Sequence, residues 1–119
     1  MVVAVSSDGD HTAIVAAALD YFEGWFDGDA GRLGRALLPE LAKRGPKRTV
    51  PNELMVAWTE AGEGKAEDPG PDRRIDVTVA DVYEDIASAV VDSDVYREYL
   101  QLVRADDGWQ VIGALWRSA

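Results

Sequence analysis

Glu98-Tyr99-Leu100-Gln101-Leu102-Val103-Arg104-Ala105, then Asp106-Asp107-Gly108, then Trp109-Gln110-Val111-Ile112-Gly113-Ala114-Leu115-Trp116-Arg117, run without a break. Two runs rich in aromatic and branched residues around an Asp-Gly turn make a β-hairpin, because that turn needs positive φ and these residues tolerate it. Working back from it, Glu84-Asp85 is a turn between two more runs, Arg74 to Val82 and Ile86 to Val95. The first alternates Ile75, Val77 and Val79 against Asp76, Thr78 and Asp81, with a slip near Ala80. This is a period of two, and the four runs together predict an antiparallel meander. Strict alternation in the last strand sets Trp109, Val111 and Leu115 on one face, and Ile112, Ala114 and Trp116 on the other. In the strand before it, Tyr99 and Val103 oppose Leu100 and Leu102. A sheet with one wet face alternates apolar and polar. Two apolar faces therefore predict a cover on each, and a second copy of the chain is the simplest cover for the outer one, a sheet-to-sheet homodimer.

The first half has the helical period instead. Ile14, Ala18, Tyr21, Phe22 and Trp25 recur with i, i+4, i+7, i+8, i+11 spacing across Thr12 to Phe26, widened by Val15, Leu19 and Phe26. Asp10 is placed as its N-cap. Gly24 inside this helix costs about 1 kcal/mol relative to alanine, which a close neighbouring element would explain. Gly28 followed by Asp29 reads as a helix stop and the N-cap of a second helix running to about Leu38, where Pro39 ends it. Leu41 to Val50 is a basic stretch expected as a short strand or hairpin, and Pro51-Asn52 begins a third helix with Leu54, Met55 and Trp58 facing the core. Gly62 to Asp72 holds turn-formers and charge with no periodicity and is expected as a mobile loop. Helices first and a meander afterwards give an α+β layout, one curved sheet wrapping a helical layer.

The chain's 119 residues suffice for one domain, 1–119, and are too few for two independent cores. The formal charge of −10, from 22 acids against 12 bases, opposes a nucleic-acid partner, which requires a basic footprint. With no cysteine and the single histidine His11, thiol chemistry, disulfides and multi-histidine metal sites are excluded within one chain, and neither metal nor cofactor is expected. No run approaches the roughly 18 apolar residues of a membrane span, so no membrane partner is expected. Met1-Val2-Val3-Ala4-Val5 is too short for a signal-peptide core and lacks a basic flank; it is expected as a frayed end or short strand within a flexible N-terminus over 1–9, in a cytoplasmic protein. Nine arginines against three lysines, with abundant alanine, point to a GC-rich bacterial genome.

Three motifs carry a resemblance. Tyr21-Phe22-Glu23-Gly24-Trp25-Phe26-Asp27-Gly28-Asp29-Ala30 resembles the first-helix signature of the NTF2-like superfamily. Leu38-Pro39-Glu40-Leu41-Ala42-Lys43-Arg44 is similar to the His-Pro-Glu-Leu-Ala-Lys-Arg segment of its lumazine-binding, SnoaL-like branch. Tyr96-Arg97-Glu98-Tyr99-Leu100-Gln101-Leu102 with Asp107-Gly108-Trp109-Gln110-Val111-Ile112 resembles that branch's Asp-Tyr-Leu-His-Leu and Asp-Gly-x-Trp-Lys-Ile-Val pair. The resemblance implies a cone-shaped α+β barrel, three helices packed on a curved antiparallel sheet around an apolar cavity. Its relatives include isomerases, dehydratases, polyketide cyclases, binding proteins and dimerisation modules, so fold alone does not choose among these. Against the family pattern, this chain has Leu38 and Gln101 where relatives carry histidine, and Glu98 where they carry aspartate.

The candidate site residues follow. Tyr21 and Trp25, one helical turn apart, could stack on a flat ligand or belong to the helix–sheet core, and Met55 and Trp58 share that ambiguity. Glu98 is either a general base or polar anchor, or a solvated residue at the start of its strand. Tyr21 or Tyr99 would supply a hydrogen-bond donor beside it. Gln101, flanked by leucines, is expected inward or at an interface. Arg44, with Lys43, either binds an anionic ligand at the cone entrance or belongs to a solvated basic strand. Asp92 and Asp94 share a strand face as an acid pair or as water-facing edge residues, and His11 is expected exposed. Gly62-Glu63-Gly64 lacks the lysine and hydroxyl residues of a phosphate loop. Three functions remain open: a binder of a small apolar or ring-bearing molecule, an acid–base enzyme using Glu98, or a homodimeric interaction module without a working pocket.

Overall fold

The computed structural model describes residues 8–119. The apolar opening Met1–Val5 lies outside the described residues, as does the flexible N-terminus expected over 1–9 apart from its last two positions, which open the first helix. Helix α1 (Asp8–Asp27) is followed by α2 (Ala30–Ala36), β1 (Leu37–Arg44), β2 (Thr49–Pro51), α3 (Asn52–Glu60), α4 (Glu63–Glu67), β3 (Ile75–Tyr83), β4 (Ile86–Ser93), β5 (Tyr96–Ala105) and β6 (Gly108–Ser118). The six strands form one sheet in the order β2-β1-β6-β5-β4-β3. The meander β3 to β6 is antiparallel throughout, whereas β1 joins β6 in parallel. The helices cover one face of this α+β sheet.

Helix α1 buries most of the stripe its spacing predicts: Ile14, Ala18, Tyr21 and Phe22 are almost fully enclosed, with Phe26 beside them, while Trp25 is partly buried. It starts earlier than expected, so Asp10 is not an N-cap. Its carboxylate lies in the first turn, where Oδ1 accepts from Trp109 Nε1 at 3.1 Å and Arg104 Nη1 at 3.2 Å. The glycine inside α1 has the predicted cause, since a Cβ on Gly24 would stand 2.8 Å from the Leu33 backbone nitrogen of α2. Asp29 caps α2 through its side chain, accepting from Arg32 N at 3.0 Å.

Helix α2 stops at Ala36, two residues short of expectation, and Pro39 sits within β1 instead of ending the helix. Between Leu37 and Ala42 the pairing of β1 with β6 is irregular. A residue without an N–H cannot complete a ladder, so proline is tolerated where pairing is already broken. The segment expected as loop over Gly62 to Asp72 contains α4, whose Gly64 is buried against the backbone of Trp25.

The largest departure concerns the last strand. Gln101 pairs with Gly113 while Leu102 pairs with Val111, leaving Ile112 as an extra residue. This β-bulge shifts the side-chain phase by one. Trp109, Val111 and Ala114 therefore all face the helices and are buried, and Leu115, expected beside Trp109 and Val111, is 57% exposed on the outer face. Part of the double apolar face is thus a bulge read as regular strand. Tyr83, Ile86, Tyr99 and Leu115 still leave substantial apolar surface exposed on the outer side. No helix among the described residues is long and apolar enough to cross a membrane.

Candidate functional site

The β1–β2 hairpin brings a charge to the inside. Along β1 the odd positions Leu41 and Lys43 are buried while Ala42 and Arg44 are exposed. Lys43 is only 6% exposed, and Glu98, on β5 facing the same interior, is 1% exposed. Tyr21 of α1 completes the group. Lys43 Nζ donates to Glu98 Oε1 at 2.9 Å and to the Tyr21 hydroxyl oxygen at 2.6 Å, and the Tyr21 hydroxyl donates to Glu98 Oε2 at 2.9 Å. The triangle is closed: each carboxylate oxygen has a donor, and two of the three ammonium protons are used. Burial, reinforced by the negative Glu98, pushes the Tyr21 hydroxyl well above its ordinary pKa, so it stays a donor.

Three rings surround the ammonium, with centroids 5.2 Å (Tyr21), 5.3 Å (Trp116) and 5.8 Å (Tyr96) from Nζ. Cation–π attraction at such distances offsets part of the cost of burying the ammonium. Trp116 is inside because of the bulge; without the phase shift at Ile112 it would point outward. Its indole nitrogen is buried without a hydrogen-bond partner and lies against Gly45, where a Cβ would come within 2.9 Å of it.

Above this floor opens a cavity of about 370 Å³. Trp25 of α1, Met55 and Trp58 of α3, Tyr96 of β5 and Trp116 of β6 form most of its wall, with Lys43 at the bottom. Arg48, from the β1–β2 turn, lies over Trp58 with its guanidinium carbon 4.9 Å from the ring centroid. On the opposite rim, α4 supplies Glu63 and Glu67. Glu67 accepts from the Tyr96 hydroxyl at 2.5 Å and from Trp25 Nε1 at 3.0 Å, which ties α4 to both α1 and β5. Partial burial and the bond to Glu67 raise the Tyr96 pKa far above its usual value. A second void of about 10 Å³, room for roughly one water, adjoins Glu98 and Tyr21 behind Lys43.

Of the residues singled out from sequence, the fold brings Tyr21, Trp25, Met55, Trp58 and Glu98 together. Glu98 is not a solvated strand start, because even-numbered positions of β5 face the helices. The same alternation places Tyr99, Gln101 and Arg44 on the outer face of the sheet, away from the cavity, and Tyr99 is 51% exposed. Neither Leu38 nor Gln101 lines the cavity. Asp92 and Asp94 are a surface ion network around Arg74 rather than an acid pair, with Arg74 Nη1 3.2 Å from Asp92 Oδ2 and Nε 3.6 Å from Asp94 Oδ1. His11 is exposed as expected. Sequence reasoning missed Tyr96, Trp116, Arg48 and Glu67, and set Arg44 above Lys43. The parity of Lys43 with buried Leu41 was the available signal. Among the described residues no three His, Cys, Asp or Glu side chains converge to hold a metal.

A curved, mostly antiparallel sheet wrapped on a helical layer is the fold of the NTF2-like superfamily, to which this chain belongs. The chain belongs to the family described as "Putative lumazine-binding", whose model matches residues 9–117. It is similar to the solved structure of an NTF2-like protein of unknown function from Shewanella baltica, at 17% identity and TM-score 0.78 over 98% of each chain. A second NTF2-like protein of unknown function, from Methylobacillus flagellatus, aligns at 14% identity and TM-score 0.77, covering 96% of this chain and 95% of the other. A ketosteroid isomerase-like protein from Erwinia carotovora atroseptica aligns at 18% identity and TM-score 0.70, covering 94% and 98%. No curated protein sequence matches the chain.

Proposed function

We propose that this protein binds a small, flat, ring-bearing molecule in the cavity between α1, α3, α4 and the sheet. The observation that carries the reading is the lining itself: about 370 Å³ walled by three tryptophans, a tyrosine and a methionine, with Arg48, Glu63 and Glu67 at the rim and the buried Lys43 ammonium below. Ligand sites are concave, largely apolar and oriented by a few placed polar groups. Here the third proton of Lys43 would be offered to a carbonyl or other acceptor oxygen, while the rings stack on the ligand's faces. The family description supplies a compatible candidate, since a lumazine is flat and bears carbonyls. An enzyme in which Glu98 acts directly on a ligand has weaker support, because Lys43 and Tyr21 already occupy both of its oxygens and it meets the cavity only through Lys43.

The test is a titration with a panel of flat carbonyl-bearing ring compounds, lumazine among them, followed by tryptophan fluorescence and thermal melting. A true ligand quenches the fluorescence of the cavity tryptophans and raises the melting temperature. At roughly one hundred times Kd the stabilisation is about 2.7 kcal/mol. A panel that leaves both signals unchanged at saturating concentrations rules the reading out.

We further propose that the outer sheet face pairs with a second copy of the chain. Tyr99 and Leu115 sit opposite each other on β5 and β6, 51% and 57% exposed, with Ile86 and Tyr83 further along the same face. Arg97 and Arg117 pair at one end of this face, while Asp76 and Asp81 lie on β3 across it. A two-fold axis through the middle would set the basic end of each copy against the acidic edge of the other. Sedimentation should return twice the chain mass for the wild type, and a single-chain mass for a Tyr99→Lys/Leu115→Lys variant. A wild type that sediments as one chain at micromolar concentration removes the proposal.

A further inference from the structure

Of the three lysines in this chain, Lys47 and Lys65 are exposed and Lys43 alone is buried, with its side chain opening onto the cavity. A hydrogen-bond donor for a ligand needs no partner capable of exchanging its protons, yet Lys43 has one. Glu98 Oε1 is 2.9 Å from Nζ, and Glu98 is itself held in place through Oε2 by the Tyr21 hydroxyl. A lysine kept from water beside a group that can take and return its proton is the arrangement by which amines add to carbonyls. We propose that Lys43 captures an aldehyde or ketone group of the cavity's ring-bearing ligand as an imine. The proposal rests on the binding reading above and adds a covalent step to it.

The step balances without any further reagent. Nζ passes a proton to Glu98, and the freed amine attacks the carbonyl carbon, forming the C–N bond as the π electrons move to oxygen. Glu98 returns its proton to that oxygen, which gives the carbinolamine, and takes a second proton from nitrogen. That second proton leaves with the hydroxyl as water while the nitrogen lone pair forms the C=N bond. The net change is an ammonium plus a carbonyl compound giving a protonated imine plus water, with Glu98 unchanged. The surroundings suit the product as well as the reactant. A protonated imine keeps one positive charge on the same nitrogen, so Glu98 stays paired, and the three rings with centroids 5.2–5.8 Å from Nζ face a cation before and after.

Benzaldehyde in limiting amount with cyanoborohydride tests this on the wild-type protein, read by mass spectrometry of its peptides. The expected result is a benzyl group on Lys43 well ahead of Lys47 and Lys65. Burial alone gives the reverse order, so label on the exposed lysines with Lys43 unmodified overturns the proposal. Replacing Glu98 with glutamine should slow the labelling of Lys43 several-fold and leave that of Lys47 and Lys65 unchanged; an unaltered Lys43 rate overturns the role of Glu98. Benzyl alcohol, equally flat but without a carbonyl, reports on binding alone. If it quenches the tryptophans while benzaldehyde leaves Lys43 unlabelled, the imine is lost and the binding reading stands. If it does not quench and Lys43 is unlabelled, the imine is lost, and the binding reading falls as well only when the full ring panel also leaves fluorescence and melting unchanged.

Discussion

Lys43→Met destabilises the fold by about 3–5 kcal/mol, the cost of leaving one partner of a buried ion pair uncompensated. Methionine matches the length of the lysine stem and fills its channel, so the loss is electrical rather than a cavity. What remains is the Glu98 carboxylate, 1% exposed, with Tyr21 as its one neighbouring donor. The ion pair needs no discount for solvent screening, since the two side chains are 8% and 2% exposed. Adding Glu98→Gln to Lys43→Met removes the stranded charge and should restore a large part of the stability. Urea unfolding of the wild type, the single variant and the double variant measures both effects. A single variant with the wild-type midpoint would show that the pair contributes nothing. A double variant no more stable than the single one would mean that the deficit comes from packing.

Gly64→Ala is the second large expected effect, and it acts on the site through the backbone. A Cβ at this position would stand 2.0 Å from the carbonyl oxygen of Trp25 and 2.6 Å from its carbonyl carbon. Neither atom belongs to a flexible side chain, so α4 must lift away from α1, with a strain cost of about 1–3 kcal/mol. Lifting α4 carries Glu67 away from Trp25 Nε1 and the Tyr96 hydroxyl, and the cavity loses that rim. Ring-ligand affinity should therefore fall together with stability. Gly34→Ala in α2 is the matched control: nothing lies within 4 Å of its added methyl, and alanine is the better helix former. A Gly64→Ala protein that binds and melts like the wild type would show that α4 is not docked as described.

Much of the architecture was legible because it is written in local chemistry. The period-two runs of β3 to β6, the Asp-Gly turn, the stripe on α1 and the Gly28-Asp29 junction each depend on residues within a few positions of one another. The aromatic side of the site was legible too, since Tyr21, Trp25, Met55 and Trp58 lie on helices whose apolar faces the sequence declares. The strand side was not. The choice of inward face on β5 turns on Glu98, which has the composition of a solvated residue, and the choice on β1 turns on a lysine. A charged pair becomes an interior residue only when its partner is there, and these partners are 55 positions apart.

The amino-acid sequence by itself determined the α+β class, the order of helices and strands apart from α4, the hairpin turns and the aromatic content available to a cavity, because hydrophobic period and turn preference act along the chain. Only the tertiary structure decided which strand aromatics and which charges face inward. Ile112 enters β6 as an unpaired residue because β5 offers it no partner, and that one offset sends Trp116 into the cavity and Leu115 out of it. Strand pairing sets that phase, and pairing is a relation between distant segments that no local pattern encodes.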